Sequence, residues 1–201
     1  MIQPTLKQIV VDVDTQKHFF DTSGIAVIHN RSGVLAGIQK VVGWAQTKRV
    51  RIISTVQVFP AHYPRYAATC EIDGQTKLGD TLLEKRTSFP ADDCTDLMPR
   101  ILDHYDQVIL RKRCFDPFLE PRADRMLSEL QPYEFLIIGA VAEGAVKATV
   151  LGLLARHKNV TIVTDAVGSY NKTRGNIVLR LMAVRGAKLI STDMLPDFYW
   201  L

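Results

Sequence analysis

The segment 134–149 constrains the fold of this chain more than any other part of the sequence. It reads EFLIIGAVAEGAVKAT, an unbroken apolar run followed by a glycine and then by small residues. Such a run is typical of a short strand that is covered on both faces. After the glycine, apolar residues recur at helical spacing, at Val146, Val150, Leu153 and Leu154. We therefore predict a buried parallel strand, a tight turn and a helix, whose first amides could stabilise an anion or an oxyanion.

The composition predicts one globular domain that spans residues 1–201. Of the 201 residues, 47% are apolar and 23% are charged, so the chain can bury a core of its own and does not have a disordered composition. No apolar run is long enough to cross a bilayer, and the N-terminus has no signal-peptide pattern. We expect no association with a membrane.

Charge and cysteine content bear on the partners and the compartment. The formal net charge is +4, but the basic residues are spread along the chain and their densest run is only 111–113, so we expect no nucleic acid partner. The three cysteines, Cys70, Cys94 and Cys114, are widely spaced and form no C-x-x-C pair. This pattern is typical of the reducing cytoplasm and argues against a disulfide scaffold or a zinc site.

Predicted strands and helices alternate along the whole chain. Strands are expected at 9–14, 51–57, 107–112, 135–138, 159–164 and 187–191, and helices at 32–47, 95–105, 121–130 and 173–184, with Ser32 as an N-cap and Gly186 as a C-cap. This alternation predicts a three-layer α/β/α sandwich around a six-stranded, parallel, doubly wound, Rossmann-like sheet. The polar segment 62–93 is expected to cross the C-terminal edge of the sheet as a long loop, with His62 and Tyr63 facing either a pocket or the solvent.

Two charged residues stand at predicted strand ends. Asp14 ends the first strand and Lys112 ends the third, while the turn 139–145 follows the central strand. In a doubly wound sheet, ligands bind beyond the C-terminal ends of the strands, so these three positions are expected to meet at one crevice. From the residues alone, Asp14 could instead cap the turn that follows it, a role for which Asp12 is less well placed. Lys112 could likewise belong to a solvated basic triplet.

These positions carry a resemblance to the isochorismatase-like hydrolases, a family that includes the nicotinamidases. The run from Asp14 to Phe19 is similar to the family pattern D-x-Q-x-x-F. The run from Lys112 to Phe118 is similar to K-x-x-x-[SD]-A-F, with Pro117 in place of the alanine. The resemblance covers nearly the whole chain in the order of its elements.

The central turn resembles the family pattern G-V-x-T-[DNH]-x-C-V, in which the cysteine is the nucleophile. Gly139 takes the position of the glycine and Glu143 that of the polar residue, but Ala145 stands where the family has its cysteine. The resemblance also implies that the amides of Val141 and Ala145 stabilise an oxyanion, with a cis peptide bond between Ala140 and Val141.

The resemblance assigns roles to the remaining residues of the expected site. Asp14 would be the acid/base, Lys112 the second catalytic residue and Ala145 the position of the missing cysteine. Phe19 and Glu143 join the amides of the turn in the set expected to contact the substrate or the oxyanion.

A metal site is not expected. In nicotinamidases, the segment after the second strand reads D-x-H-P and supplies metal ligands. The matching residues here are 57–60, with Gln57 and Phe59 in the ligand positions. An amide and a phenyl ring are poor replacements for a carboxylate and an imidazole. We therefore predict no metal and no other cofactor.

The alanine at position 145 leaves three functional interpretations open. Hydrolysis of an amide through an acyl-thioenzyme is ruled out at that position. The first interpretation is an acid-assisted hydrolysis of a small molecule by Asp14 and Lys112, because the resemblance implies that true isochorismatases also lack the cysteine and hydrolyse a vinyl ether without a covalent nucleophile. The second is a binding or regulatory site without turnover, and the third is a structural subunit.

Two further residue groups bear on these interpretations. Cys114, two residues beyond Lys112, is the only thiol near the expected site and could substitute for the lost nucleophile. The apolar C-terminal run Phe198–Leu201 would pack on its own domain or on a neighbour, so we expect a homo-oligomer of at least two chains.

Overall fold

A computed structural model describes residues 8–21, 27–58 and 76–195 of the chain. Within these ranges, seven strands form one sheet in the order β3-β4-β2-β1-β5-β6-β7, and every neighbouring pair is parallel. The strands are β1 Gln8–Val13, β2 Arg51–Gln57, β3 Arg86–Phe89, β4 Gln107–Lys112, β5 Glu134–Gly139, β6 Val160–Val167 and β7 Lys188–Ile190. The parallel, doubly wound α/β fold predicted from the sequence is confirmed, with seven strands in place of the expected six.

Helices cover both faces of the sheet. They are α1 Lys17–Phe20, α2 Arg31–Lys48, α3 Ile101–His104, α4 Pro121–Glu129, α5 Lys147–Ala155 and α6 Lys172–Val184. One core packs β1 residues Ile9, Val11 and Val13 against α3 to α6, and the other packs Val10 against α1 and α2. Successive side chains of a strand point to opposite faces, so β1 contributes to both cores.

The additional strand is β3, which lies inside the segment 62–93 that was predicted to be a loop. Strand β3 is four residues long, at the edge of the sheet, and pairs with β4 from Arg86↔Gln107 to Phe89↔Leu110. Its sequence RTSF has a single apolar residue, so no strand periodicity can be recognised in it. Pairing with β4, and not the local sequence, therefore makes this segment a strand. His62 and Tyr63 lie outside the described residues.

The helix predicted at 95–105 is wrong over its first half, because α3 begins only at Ile101. Arg100 before it has a left-handed backbone, with φ of 56°. The carbonyls of residues 95 and 96 accept hydrogen bonds from the side chains of Arg125 and Arg122, at 3.0 and 2.9 Å. These contacts attach the segment to α4 and occupy carbonyls that a helix would use for its own bonds.

The ends of two helices test the predicted caps. Helix α2 begins at Arg31 after Asn30, so the prediction of Ser32 as its N-cap is wrong. The Asn30 side chain makes no cap bond and contacts the Ser169 amide across the fold instead, at 3.4 Å. After α6, Gly186 has φ of 113°, the left-handed conformation that ends helices and favours glycine.

The strand registers bring the predicted site to one edge of the sheet. Val13 is paired with Thr55 on one side and with Gly139 on the other. Gln57 is paired with Lys112. The chain places β2, β3 and β4 on one side of β1 and then returns to add β5 on the other side. The ends of β1 and β5 therefore lie at the point where the direction of winding reverses, where such folds bind ligands.

Candidate active site

Asp14 lies directly beyond β1, with an unusual backbone conformation. Its φ is 49°, in the left-handed region that asparagine and aspartate tolerate better than other side chains with a β-carbon. The Asp14 amide donates to the carbonyl of Thr55 at 3.2 Å, and the Asp14 carbonyl accepts from the amide of Gln16 at 2.8 Å. The turn therefore leaves the line of β1 while staying bonded to β2.

Asp14 and Lys112 form a buried ion pair. Lys112 Nζ lies 2.6 Å from Asp14 Oδ2, and the side chains are 0% and 1% exposed. Thr55 Oγ1 donates to Asp14 Oδ1 at 2.6 Å, so both oxygens of the carboxylate accept a hydrogen bond. Lys112 Nζ also donates to the carbonyl of Cys114 at 3.1 Å. The structure thus joins the two residues that the sequence placed at separate strand ends.

The basic triplet around Lys112 is not a uniform solvated cluster. Arg111 is exposed, whereas Lys112 is buried. Arg113 contacts Asp93 and Glu120, the latter at 3.0 Å. Its guanidinium holds the pKa of the Asp93 carboxyl below the usual value, chiefly through their hydrogen bond. Of the three cations, only Lys112 faces Asp14.

The turn after β5 passes very close to β1. Gly139 has φ of 124°, and a β-carbon at this position would lie 1.9 Å from the carbonyl oxygen of Val13. Only glycine fits there. The Ala140 amide donates to that same carbonyl at 2.8 Å. The peptide bond between Ala140 and Val141 is cis, as the resemblance implied.

Ala145 lies in the wide helical turn Ala142–Val146 that leads into α5. It is 2% exposed, and Gly144 before it departs from helical angles, with φ of −118° and ψ of −109°. Its carbonyl accepts from Thr149 Oγ1, in the first turn of α5, at 2.8 Å. A methyl group has no electron pair to offer a substrate. Ala145 therefore cannot act as a nucleophile.

Glu143 packs toward the loop that follows β6. Its Oε1 accepts from Ser169 Oγ at 2.6 Å, while Oε2 is buried without a hydrogen bond partner among the described residues. Phe19 is 6% exposed, and its ring centre lies 3.9 Å from that of His18 and 6.3 Å from that of Tyr170. Phe19 lies in α1, just after the Asp14 turn, and Glu143 contacts the loop after β6.

Gln57, which stands at a metal-ligand position of the nicotinamidase pattern, is 5% exposed at the end of β2. The side chain of Gln16 bonds to the main chain of Gln57. Gln16 Nε2 donates to the Gln57 carbonyl and Gln16 Oε1 accepts from the Gln57 amide, each at 2.9 Å. Over the described ranges, no three His, Cys, Asp or Glu side chains are grouped as a metal site would need. Phe59 lies outside those ranges.

Sequence reasoning missed a second buried ion pair beside the first. Lys77 Nζ contacts Asp12 Oδ2, and the two side chains are 4% and 0% exposed. Lys77 was not singled out, and Asp12 was considered only as a poorer cap than Asp14. The signal that could have found the pair is Asp12 itself, a carboxylate that follows the apolar run 9–11 within a buried strand.

The sequence model of the isochorismatase domain matches residues 8–194. Among solved structures, the chain is similar to a cysteine hydrolase from Pseudomonas syringae pv. phaseolicola 1448A, with a TM-score of 0.75 and 16% identity over 96% of this chain and 95% of that one. It is also similar to N-carbamoylsarcosine amidase from Thermoplasma acidophilum, with a TM-score of 0.71 and 16% identity over 95% and 99% of the two chains.

A third similar structure is the pyrazinamidase of Pyrococcus horikoshii in complex with zinc. Its TM-score is 0.70, with 18% identity over 92% of this chain and 99% of that one. At these identities the structures support the fold alone. No curated protein matches the sequence. Of the helices in the described ranges, none is long and apolar enough to cross a membrane.

Proposed function

The chain belongs to the isochorismatase family, and from that premise we propose that it hydrolyses a small metabolite at the crevice beside Asp14 and Lys112, without a cysteine nucleophile. The observation that carries the proposal is the buried pair itself, with Lys112 Nζ 2.6 Å from Asp14 Oδ2. A buried ion pair adds little to stability compared with apolar residues of the same volume, so a role in chemistry is a good reason for its presence.

The position of the pair also supports the proposal. It lies beyond the C-terminal ends of β1 and β4, next to the turn that follows β5. The amides of Val141 and Ala145 belong to that turn and could receive negative charge that develops on a substrate oxygen. Ala145 excludes an acyl-thioenzyme, so the reaction must proceed without a covalent bond at this position.

Hydrolysis of a vinyl ether meets these conditions. Asp14 would take a proton along its hydrogen bond from Lys112 and deliver it to the terminal carbon of the double bond. Water would then add to the resulting oxocarbenium carbon and release a proton, which returns to Lys112. The hemiketal collapses to a ketone and an alcohol. In that collapse the C–O bond breaks, the hemiketal hydroxyl loses a proton and the leaving oxygen gains one, so protons balance and no step needs a thiol, a metal or another cofactor.

A second candidate function is binding of the same kind of small molecule without turnover. One observation favours it. Both oxygens of Asp14 accept hydrogen bonds, from Lys112 and Thr55, which is the arrangement of an ionised carboxylate and not of a proton donor. A pocket held in this state would bind a ligand and not protonate it.

Replacement of Asp14 by asparagine separates the two candidates. The wild type and Asp14→Asn would be incubated with isochorismate and with simpler vinyl ether acids, and the release of ketone would be followed. For a hydrolase, we expect turnover by the wild type and a loss of about 10²-fold or more in Asp14→Asn, the range of general acid–base catalysis. Asp103→Asn, at an exposed carboxylate, is the matched control.

Binding would be measured in parallel by calorimetry with the same compounds and with aromatic carboxylates. A ligand that binds the wild type but is recovered unchanged would contradict the hydrolase and support the binding function. Turnover that survives in Asp14→Asn would contradict the assigned role of Asp14.

A further inference from the structure

The side chain of Lys77 bonds to residues on both sides of Asp14 in the sequence. Its Nζ donates to Asp12 Oδ2 and to Thr15 Oγ1. Thr15 Oγ1 in turn lies 3.3 Å from Thr81 Oγ1. Asp12 is the second-last residue of β1, and Thr15 follows Asp14. One ammonium group therefore spans the turn in which Asp14 adopts its left-handed backbone.

The backbone around Lys77 is bonded to the same turn. Gln16 and Lys77 form an antiparallel bridge. The Lys17 amide donates to the Thr76 carbonyl and the Leu78 amide donates to the Thr15 carbonyl, both at 2.9 Å. The residues just after Asp14 are thus paired with 76–78 through the main chain as well as through the Lys77 side chain.

A network of buried polar side chains connects Asp12 with β2 and β4. Asp12 Oδ2 accepts from Ser54 Oγ at 3.0 Å, and Ser54 Oγ accepts from Gln107 Nε2 at 2.9 Å. Gln107 also bonds to the Thr81 carbonyl and to the Leu83 amide, at 2.8 Å each. The segment 77–83 is therefore attached to β1, β2 and β4 by side chains that are all buried.

The buried Asp12–Lys77 pair gives little net stabilisation, so positioning of the backbone is a good reason for its presence. Desolvation of two charges cancels much of their attraction, and apolar residues of similar volume would stabilise the same space as well or better. Asp12 Oδ1 is moreover buried without a partner among the described residues. Directional bonds, unlike apolar contacts, define where the backbone must lie.

We propose that Lys77 is a positioning residue for Asp14: its bonds to Asp12 and Thr15 hold the turn between them so that the Asp14 carboxylate meets Lys112. Lys77 does not touch the reacting atoms in this role. The inference rests on the proposed function only for the importance of Asp14, since the ion pair that it concerns is observed directly.

The test measures how often the Asp14–Lys112 ion pair opens and not the turnover of a substrate. In protein labelled with ¹⁵N-lysine, the rate at which the ammonium hydrogens of Lys112 exchange with water would be measured, with Lys112→Met to assign the signal. The variant is the double replacement Asp12→Asn and Lys77→Met, which removes one negative and one positive charge together. The net charge near Asp14 is therefore unchanged.

Lys158→Met is the matched control. Lys158 is another buried lysine, 9% exposed, which donates to the carbonyls of Ser128 and Leu130 at 2.8 Å. In the double variant, we expect Lys112 to exchange at least about fivefold faster than in the wild type, because exchange follows local opening. In Lys158→Met, we expect it to stay within about twofold, since distant replacements act independently.

A folded double variant in which Lys112 exchanges as in the wild type would overturn the proposal. An equal acceleration in Lys158→Met would overturn it too, because the effect would then reflect general loss of stability. If the double variant fails to fold, Thr15→Val removes one bond of the Lys77 ammonium with little change of shape, and the same two outcomes decide. Failure of the proposed function would be seen separately, as absence of Asp14-dependent turnover.

Discussion

Ala145 is buried at the start of the helix that follows the central strand, where the family resemblance expects a cysteine. Asp14 and Lys112, the two charged residues that the resemblance places at the same site, form a buried ion pair. A single replacement can therefore test whether the site is intact. It can also be compared with the native thiols of the same chain.

Replacement of Ala145 by cysteine is expected to create an activated thiol. A thiol at a helix N-terminus near a cation is more acidic than a free cysteine, whose pKa is about 8.5. The pH dependence of its alkylation by iodoacetamide should therefore have a midpoint below about 8.5, and Lys112→Ala should raise that midpoint. The comparison is with Cys70, Cys94 and Cys114 in the same protein, resolved by mass spectrometry of the peptides.

A midpoint at or above that of the native cysteines would mean that the site has lost the geometry of a nucleophile turn. Loss of wild-type activity on labelling Cys114 alone would show a different nucleophile. Cys114 is exposed, and its contact with the Asp14–Lys112 pair is made by its carbonyl oxygen.

The Asp12–Lys77 pair gives a second prediction at this scale. Lys77→Ala leaves the Asp12 charge buried without its partner, so we expect the free energy of unfolding to fall by about 3–5 kcal/mol. Removal of both charges in Asp12→Asn with Lys77→Met should cost less than Lys77→Ala alone. Urea unfolding measures both.

An exposed ion pair provides the control for that experiment. Arg125 and Glu129 lie 3.0 Å apart with side chains 40% and 66% exposed. Glu129→Ala should change the free energy of unfolding by no more than about 1 kcal/mol, as exposed pairs do. Equal losses for Lys77→Ala and Glu129→Ala would show that burial of Asp12 carries no penalty.

Elements in this fold are positioned by close backbone contacts as well as by apolar cores. Helix α2 lies against β6, and a β-carbon on Gly37 would be 2.3 Å from the carbonyl oxygen of Asp165. Gly43, in the same helix, has no atom within 4 Å of the same position. The sequence presents both as glycines that weaken a helix, and only the packing distinguishes them.

The two glycines of α2 therefore predict opposite effects of alanine. Gly37→Ala should destabilise the protein by about 1–3 kcal/mol, because the helix must move away from the sheet. Gly43→Ala should stabilise it by up to about 1 kcal/mol, because alanine has the higher helix propensity and meets open space. Thermal and urea unfolding of the two variants measure the difference. Stabilisation by both replacements would contradict the close contact.

The whole molecule has features that bear on assembly. Exposed apolar residues include Ile177, Leu181 and Val184, which recur along one side of α6. The apolar run Phe198–Leu201 lies outside the described residues. A cytoplasmic homo-oligomer that binds a small molecule, without nucleic acid or membrane partners, stays our proposal for the protein as a whole.

The assembly is testable by mass. We expect the 201-residue protein to sediment as at least a dimer at micromolar concentration, because the three adjacent aromatic residues 198–200 are difficult to bury within one chain of this size. Deletion of 198–201 should lower the measured mass. Sedimentation of the undeleted protein as a monomer would contradict the prediction.

The sequence by itself determined the class of fold and most of its elements. Strands buried on both faces are rich in apolar residues, and β1, β4 and β5 each contain a run of three or more. Strands β2 and β6 contain shorter β-branched pairs, at 52–53 and 162–163, so the positions of all five along the chain could be predicted from local pattern. The short motifs around Asp14, Lys112 and Ala145 indicated the family for the same reason, because each is contiguous in the chain.

Only the tertiary structure decided what depends on residues far apart in sequence. Strand β3 exists because β4 offers it hydrogen bonds, and the segment before α3 is not helical because arginines of α4 bind its carbonyls. The pairs Asp14–Lys112 and Asp12–Lys77 join residues 98 and 65 positions apart. Burial turns such pairs from exposed charges into directional contacts, and burial is a property of the folded chain that no local pattern contains.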